Sequence, residues 1–242
     1  MAIKSAIFKI GGKIFENSKR LINSITQLTQ LYENDIIQKI ILIPGGGKAA
    51  SFVREMCLEF KFSNELAHWI AIYSMNFNGI KINKKFPDFE ISEEFEDIQK
   101  EDKIMEIFLP YRYLRNTDEL PHSWDVTSDS ITLYLAHKLN LEECFLIKDV
   151  DGIIDINQSV IKELSTERLN KLKEQGWLFR YQFVKQDLKS KSAPIDSYIV
   201  KLIDEFKIIC TILNGASQNL MIYDYFKSDK NVNKKYTKIF PT

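Results

Sequence analysis

Residues 38–55 read QKIILIPGGGKAASFVRE. A β-branched apolar run, 39–44, ends in three consecutive glycines, and a charged segment with helical character follows. A short apolar run bounded by turn residues reads as a buried strand. The glycines then mark a strand-to-helix turn. The chain has only nine glycines in 242 residues, and five of them stand in two places, Gly11–Gly12 and Gly45–Gly46–Gly47. Both clusters follow an apolar run and precede a helical pattern. Glycine lets the backbone take positive φ and come close to another group. Successive backbone N–H groups at the start of a helix make an anion site. Two such loops on neighbouring strands would hold an extended anion, such as a polyphosphate, from two sides. One glycine pair alone reads as an ordinary turn; two clusters in a glycine-poor chain favour the anion site. GGGK is not a P-loop, because Leu42 and Ala49 occupy the positions that need glycine and a hydroxyl. No G-x-G-x-x-G is present.

Working outward, strands are expected at 5–10, 39–44, 104–109, 144–149 and 208–214, with helical patterns between them. Continuous apolar strands separated by helices predict a mostly parallel sheet buried between helical layers. Residues 128–139 read as a helix with Ser and Asp at its cap. Residues 195–206 place Ile195, Tyr198, Ile199, Leu202, Ile203 and Phe206 on one face. Residues 64–75 are apolar nearly all round, which predicts a buried helix or, through 78, an interface element. The acidic stretch 87–103 lacks a period and reads as an exposed connection or flap. The basic, Asn-rich segment 227–240 ends in a possible strand. No internal repeat is visible.

Bulk properties narrow the partners. Thirty-three Lys and Arg balance thirty-three Asp and Glu, so no overall basicity points to nucleic acid. Cys57, Cys144 and Cys210 are widely separated and read as reduced thiols of a cytoplasmic protein. The N-terminal apolar run is too short for a signal peptide. No stretch approaches the ~20 apolar residues of a membrane span.

KIGG (9–12), PGGG (44–47), SWDVTSDSI (123–131) and LIKDVDGI (146–153) occur in that order. This set resembles the amino acid kinase superfamily, which includes acetylglutamate, aspartate, uridylate and isopentenyl phosphate kinases. PGGG with the following VRE, AHWIAI (67–72) and the last two motifs resemble in particular the archaeal kinases of an aminomethyl-furanylmethyl phosphate in methanofuran biosynthesis. The resemblance implies a three-layer α-β-α sandwich around a mainly parallel eight-stranded sheet. It implies one domain, 1–242, with an acceptor-binding half (1–140) and a nucleotide-binding half (141–242). ATP would be the donor and Mg²⁺ would arrive bound to it; three scattered histidines make no protein metal set. Relatives assemble as dimers or hexamers, so a homo-oligomer is expected.

The resemblance also distributes roles. Lys9 falls on the lysine that neutralises the transferring phosphoryl group, and lies between Phe8 and Ile10 where an unpaired charge is costly. Gly11, Gly12, Gly45, Gly46 and Gly47 fall on the phosphate-binding backbone. Lys13 stands where Ser or Thr is usual, and either contacts phosphate or faces water. Asp129 matches the aspartate that orients catalytic lysines, and could also serve as a helix N-cap. Lys148, Asp149, Asp151 and Gly152 match a nucleotide-binding segment, although many relatives have Thr at the place of Lys148; the same residues could form only a turn. Lys201 corresponds to the second catalytic lysine, but the glycine pair expected before it is replaced by APIDS. It lies off the apolar stripe, facing either a cleft or water. His68 reads as a core histidine or as a contact to an acceptor phosphate. Ser123, Trp124 and Asp125 either shape the acceptor pocket or are structural.

These assignments predict an ATP-dependent small-molecule kinase acting on a phosphate monoester to give a diphosphate. A carboxylate kinase forming an acyl phosphate is the alternative within the enzyme class. A non-catalytic nucleotide or anion sensor or storage protein is the alternative outside it, prompted by Lys201 and by KYTKIF (235–240) where relatives tend to have Gly-Thr.

Overall fold

The computed structural model describes residues 2–61, 63–100, 102–178, 194–227 and 234–242. In chain order its elements are β1 (Ile3–Ile10), α1 (Gly12–Phe15), α2 (Ser18–Glu33), β2 (Ile37–Pro44), α3 (Gly47–Phe60), α4 (Asn64–Lys85), β3 (Glu90–Ser92), α5 (Phe95–Gln99), β4 (Ile104–Phe108), α6 (Tyr111–Thr117), α7 (Ser128–Lys138), β5 (Glu143–Lys148), β6 (Ile153–Ile154), β7 (Val160–Ile161), β8 (Glu163–Ser165), α8 (Thr166–Glu174), α9 (Ser197–Phe206), β9 (Ile209–Asn214), α10 (Met221–Lys227) and β10 (Tyr236–Phe240).

Eight strands form one sheet in the order β3-β4-β2-β1-β5-β9-β10-β8. It is parallel from β3 to β9; β10 runs antiparallel to β9 and β8 parallel to β10. This is the α/β sandwich expected from the sequence. The five expected strands are its five adjacent central ones, where burial on both faces demands continuous apolar runs.

Alternation along β1 creates two cores. Ala6, Phe8 and Ile10 pack with α2 and α10 residues such as Leu21, Ile25 and Ile222. Ile7 faces the other way, into a core shared with Trp69 and Ile72 of α4, Ile131 and Leu135 of α7, and Ile199 and Leu202 of α9. Lys9 has the parity of Ile7 and therefore points toward α7. The parallel register sets Lys9 beside Ile43 of β2 and Leu146 of β5. The glycine turns after β1 and β2 and the end of β5 thus lie together at the carboxyl ends of the strands, where ligands collect in open α/β folds.

Two expectations need correction. α4 is not buried all round: Ala67, Trp69, Ile72 and Met75 are buried, whereas Leu66, Ile70, Tyr73, Phe77 and Ile80 are exposed. The 87–103 stretch is not a flap. Phe89, Phe95 and Ile98 anchor it in the core, and it adds edge strand β3 beside β4. Its apolar residues are too sparse to show a period, yet they are the ones that fold it inward. Of the basic tail, 228–233 lies outside the described residues; the expected strand at its end is β10.

Candidate active site

Lys9 and Asp129 meet at the carboxyl ends of the central strands. Lys9 Nζ lies 2.8 Å from Asp129 Oδ1, with both side chains about 5% exposed or less. Asp129 belongs to the first turn of α7, and its carboxylate is free for this pairing because Thr127 caps the helix instead. The Thr127 hydroxyl accepts from the Asp129 backbone N–H at 3.2 Å. Lys148 joins the pair from β5. Its ammonium donates to both Asp129 oxygens, at 2.7 and 2.6 Å. Lys148 shares the parity of Cys144 and Leu146, so it projects onto the same face as Lys9 from the adjacent strand.

Electrostatics follow from this geometry. Burial alone would raise the Asp129 carboxyl, but the ammonium groups of Lys148 and Lys9 hold it at about 2. Asp129 is therefore ionised near neutrality and is a weak proton acceptor. Burial lowers Lys9 to about 8, against the pull of Asp129 and with the added push of Lys148. Burial also works against Lys148, but Asp129 outweighs it and raises that lysine, which holds both carboxylate oxygens.

The glycine loops close over this cluster. A Cβ on Gly12 would come within 2.8 Å of Gly47 Cα, and one on Gly45 within 2.7 Å of the Ile10 carbonyl oxygen. The two loops are thus packed backbone to backbone, which side chains would prevent. Gly11 N–H donates to the Ile147 carbonyl at 2.8 Å and Gly45 N–H to that of Ile10 at 2.9 Å. Gly47 has φ of +57°. Buried Asn78 of α4 donates to the Gly45 carbonyl at 2.7 Å, fixing the loop from behind. Gly46 is the N-cap residue of α3, so the helix N-terminus opens at the loop.

The DVDG segment lies past the end of β5. Asp151 accepts from Asn214 Nδ2 at 2.6 Å and pairs with Lys235 at 2.9 Å, joining β5, β9 and the approach to β10. Gly152 has φ of +143°, and a Cβ there would meet the Thr237 hydroxyl at 2.3 Å. Asp149 lies 3.6 Å from the half-exposed Lys13.

A second cluster lies beside the glycine loop of β2. His68 of α4 is buried and stacks on His122 at 5.0 Å, with Trp69 edge-on to both. Burial, with His122 beside it, pushes His68 down to about 4, so it is neutral near pH 7. His122 contacts Asp118 at 2.6 Å. Arg54 of α3 lies over the Trp124 ring at 4.7 Å. Ser123 accepts from the Asp125 N–H, and Asp125 from the Ser197 hydroxyl at 2.9 Å.

Lys9, Asp129, both glycine loops and Lys148 are brought together. Lys201 is not with them: it stands exposed on α9, its ammonium 5.4 Å from the Tyr198 ring, and makes no ion pair with Asp129. Arg54, Asn78 and Asp196 were not singled out from sequence, and His122 only as one of three scattered histidines. Asp196 caps α9 and also accepts from the backbone and hydroxyls of Thr127 and Ser130, tying the starts of α7 and α9 together. APIDS, read only as a missing glycine pair, carries this residue. Among the described residues no group of three or more His, Cys, Asp or Glu side chains is placed to hold a metal, and no helix is long and apolar enough to cross a membrane.

Comparison with known proteins agrees with this geometry. Residues 4–214 match the amino acid kinase family. The chain is 30% identical over 236 residues to the [5-(aminomethyl)furan-3-yl]methyl phosphate kinase of Methanocaldococcus jannaschii, covering 96% of each protein. Its fold is similar to the UMP kinase of Ureaplasma parvum, with a TM-score of 0.68 at 17% identity and coverage of 99% and 97% of the two chains. It is likewise similar to the uridylate kinase of Archaeoglobus fulgidus, with a TM-score of 0.66 at 17% identity, covering 98% of this chain and all of that one. The chain belongs to the amino acid kinase family and is a kinase, a phosphotransferase of that fold.

Proposed function

We propose that this kinase transfers the γ-phosphoryl group of ATP to a phosphate monoester, giving a diphosphate. One observation carries the reading: a buried Lys9–Asp129 pair beneath two interlocked glycine loops, with no free general base in the cluster. Phosphoryl transfer asks for positioning and charge stabilisation. The close packing of residues 11–12 on 45–47 brings the N-terminus of α3 up to the buried pair, where it would face phosphate oxygens, and the Lys9 ammonium would meet the charge on the transferring group. Asp129 orients Lys9 and takes no proton. An acceptor that is already anionic needs no base, which favours a phosphate or carboxylate over an alcohol. The relative from M. jannaschii is named for a phosphate acceptor, which favours the phosphate.

The acceptor half would be 1–140, where His68, His122, Trp69, Arg54, Ser123, Trp124 and Asp125 line the ground beside Gly45–Gly47. An Arg and the neutral His68 there can donate to a phosphate, and the tryptophans offer flat apolar surface to a small ring. The nucleotide half would be 141–242, with Lys148, Asp149, Asp151 and Gly152 at its entrance. Mg²⁺ would be carried by the nucleotide and neutralise its β- and γ-oxygens. Leu66, Ile70, Tyr73, Phe77 and Ile80 of α4 recur at alternating steps of four and three, the spacing of a coiled-coil seam. We assign this exposed face to a homodimer contact.

The test is incubation of the protein with MgATP and [5-(aminomethyl)furan-3-yl]methyl phosphate, followed by ³¹P NMR. A diphosphate product with stoichiometric ADP supports the reading. A panel of carboxylates with hydroxylamine runs in parallel: a hydroxamate there, and no diphosphate, replaces it with the acyl-phosphate reaction.

A further inference from the structure

We propose that Lys148, delivered from the end of β5, is the second catalytic cation of this enzyme, in place of any lysine on α9. The inference rests on the kinase reading above.

Charge accounting is the first argument. The cluster holds two ammonium groups and one carboxylate, and its side chains are 5% (Lys9), 4% (Asp129) and 13% (Lys148) exposed. A buried ion pair is already costly, and a surplus buried charge more so. Among the described residues Asp196 also acts on Lys148, but it makes no ion pair with it and its oxygens accept from five neutral donors. In direct contact the two ammonium groups therefore share one carboxylate, and an arriving anion would give Lys148 a contact partner beyond Asp129. A purely structural ion pair would need only Lys9 and Asp129.

Placement is the second argument. Lys148 is the most open of the three, so it is the member that can reach a ligand while keeping Asp129. Its stem lies against the first glycine loop, where a Cβ on Gly11 would come 3.5 Å from Lys148 Cδ. A phosphate held by that loop therefore sits beside the ammonium. The strand order β2-β1-β5-β9 places Lys9 centrally and Lys148 one strand toward the nucleotide half. In the transfer, an acceptor phosphate oxygen bonds to Pγ, the bond from Pγ to the β–γ bridging oxygen breaks, and its electron pair stays on ADP. No proton need move when the acceptor is a dianion. Lys9 meets the transferring group, and Lys148 meets the bridging oxygen where charge accumulates. Lys201, exposed over Tyr198, meets neither.

Calorimetric binding of MgADP and of a non-hydrolysable MgATP analogue tests this without needing the acceptor. Wild type and Lys201→Met are expected to prefer the triphosphate, and Lys148→Met to lose at least tenfold of that preference. With [5-(aminomethyl)furan-3-yl]methyl phosphate as acceptor, turnover of Lys148→Met should fall ~10²–10³-fold, the loss seen on removing one transition-state donor; Lys201→Met should stay within about twofold, the outer face of a helix being remote from the reacting atoms. Lys148→Met leaves a neutral Lys9–Asp129 pair, and its unfolding temperature reports folding. Should it misfold, Lys148→Cys serves: the native cysteines are buried, so 2-bromoethylamine restores an ammonium at 148 and iodoacetamide a neutral group of similar bulk. Rescue by the first reagent alone supports the inference. Equal behaviour with both, or triphosphate preference intact in Lys148→Met, overturns it while leaving the kinase reading in place. A wild type that binds neither nucleotide overturns both.

Discussion

Replacing Asp129 with Asn removes the carboxylate that Lys9 and Lys148 share and leaves two buried ammonium groups facing each other. Breaking a buried ion pair from one side costs about 3–5 kcal/mol. The protein has one escape, which sets an upper bound. It can fold with a lysine deprotonated, and neutralising an amine of ordinary pKa at pH 7 costs about 4.6 kcal/mol, ~3.4 pH units at 1.36 kcal/mol each. The two routes agree, so Asp129→Asn should lose about 4 kcal/mol at pH 7. The escape also fixes a sign. The unfolded variant then binds one more proton than the folded variant, so its stability rises with pH. The slope is about 1.4 kcal/mol per pH unit between 7 and 9 for one neutral lysine. Urea denaturation of the variant at pH 7, 8 and 9, beside wild type at pH 7, measures both quantities. A loss below ~1 kcal/mol, or a stability that is flat in pH, would refute the view that these three charges form one buried unit, since an exposed pair behaves that way.

Other outcomes follow from the same geometry. Turnover should fall as pH rises through about 8, because Lys9 acts as a cation and loses its proton there; a rate that holds level to pH 10 would count against its role. Gly45→Ala puts a Cβ 2.7 Å from the Ile10 carbonyl and 3.2 Å from Gly12 N, so the loops must part; the variant should lose ~1–3 kcal/mol of stability, read by denaturation, and bind the MgATP analogue at least tenfold more weakly by calorimetry. Tyr73→Glu with Phe77→Glu, both on the exposed seam of α4, should leave a monomer in sedimentation analysis with its folding intact. A wild type that is itself monomeric would remove the dimer assignment.

The fold and part of the candidate cluster were legible in the chain. The central strands are apolar on both faces, so KIILIP and its counterparts identify themselves without knowledge of their neighbours. Glycines concentrated behind two of those strands announce a close approach of bare backbone, and the structure supplies the partner: each loop packs on the other. Lys9 was visible as a charge between Phe8 and Ile10, whereas Asp129, among Thr127, Ser128 and Ser130, was reached through the family resemblance. The sequence was weaker at the margins. Residues 87–103 hide three anchoring side chains among acidic ones, and the three-residue strands β3 and β8 carry too little pattern to be seen. The second lysine shows the limit most clearly. Lys148 and Lys201 are equally prominent in sequence, one in a strand that alternates toward α7 and one on a helix. Which of them reaches Asp129 depends on the pairing of β5 with β1 and on how α7 lies across both strands. The β1–β5 pairing joins residues more than a hundred positions apart, and although Lys148 and Asp129 are 19 apart, no local pattern encodes their meeting. Strand, turn and the buried charge come from neighbours along the chain; the joining of two lysines on one carboxylate comes from the sheet.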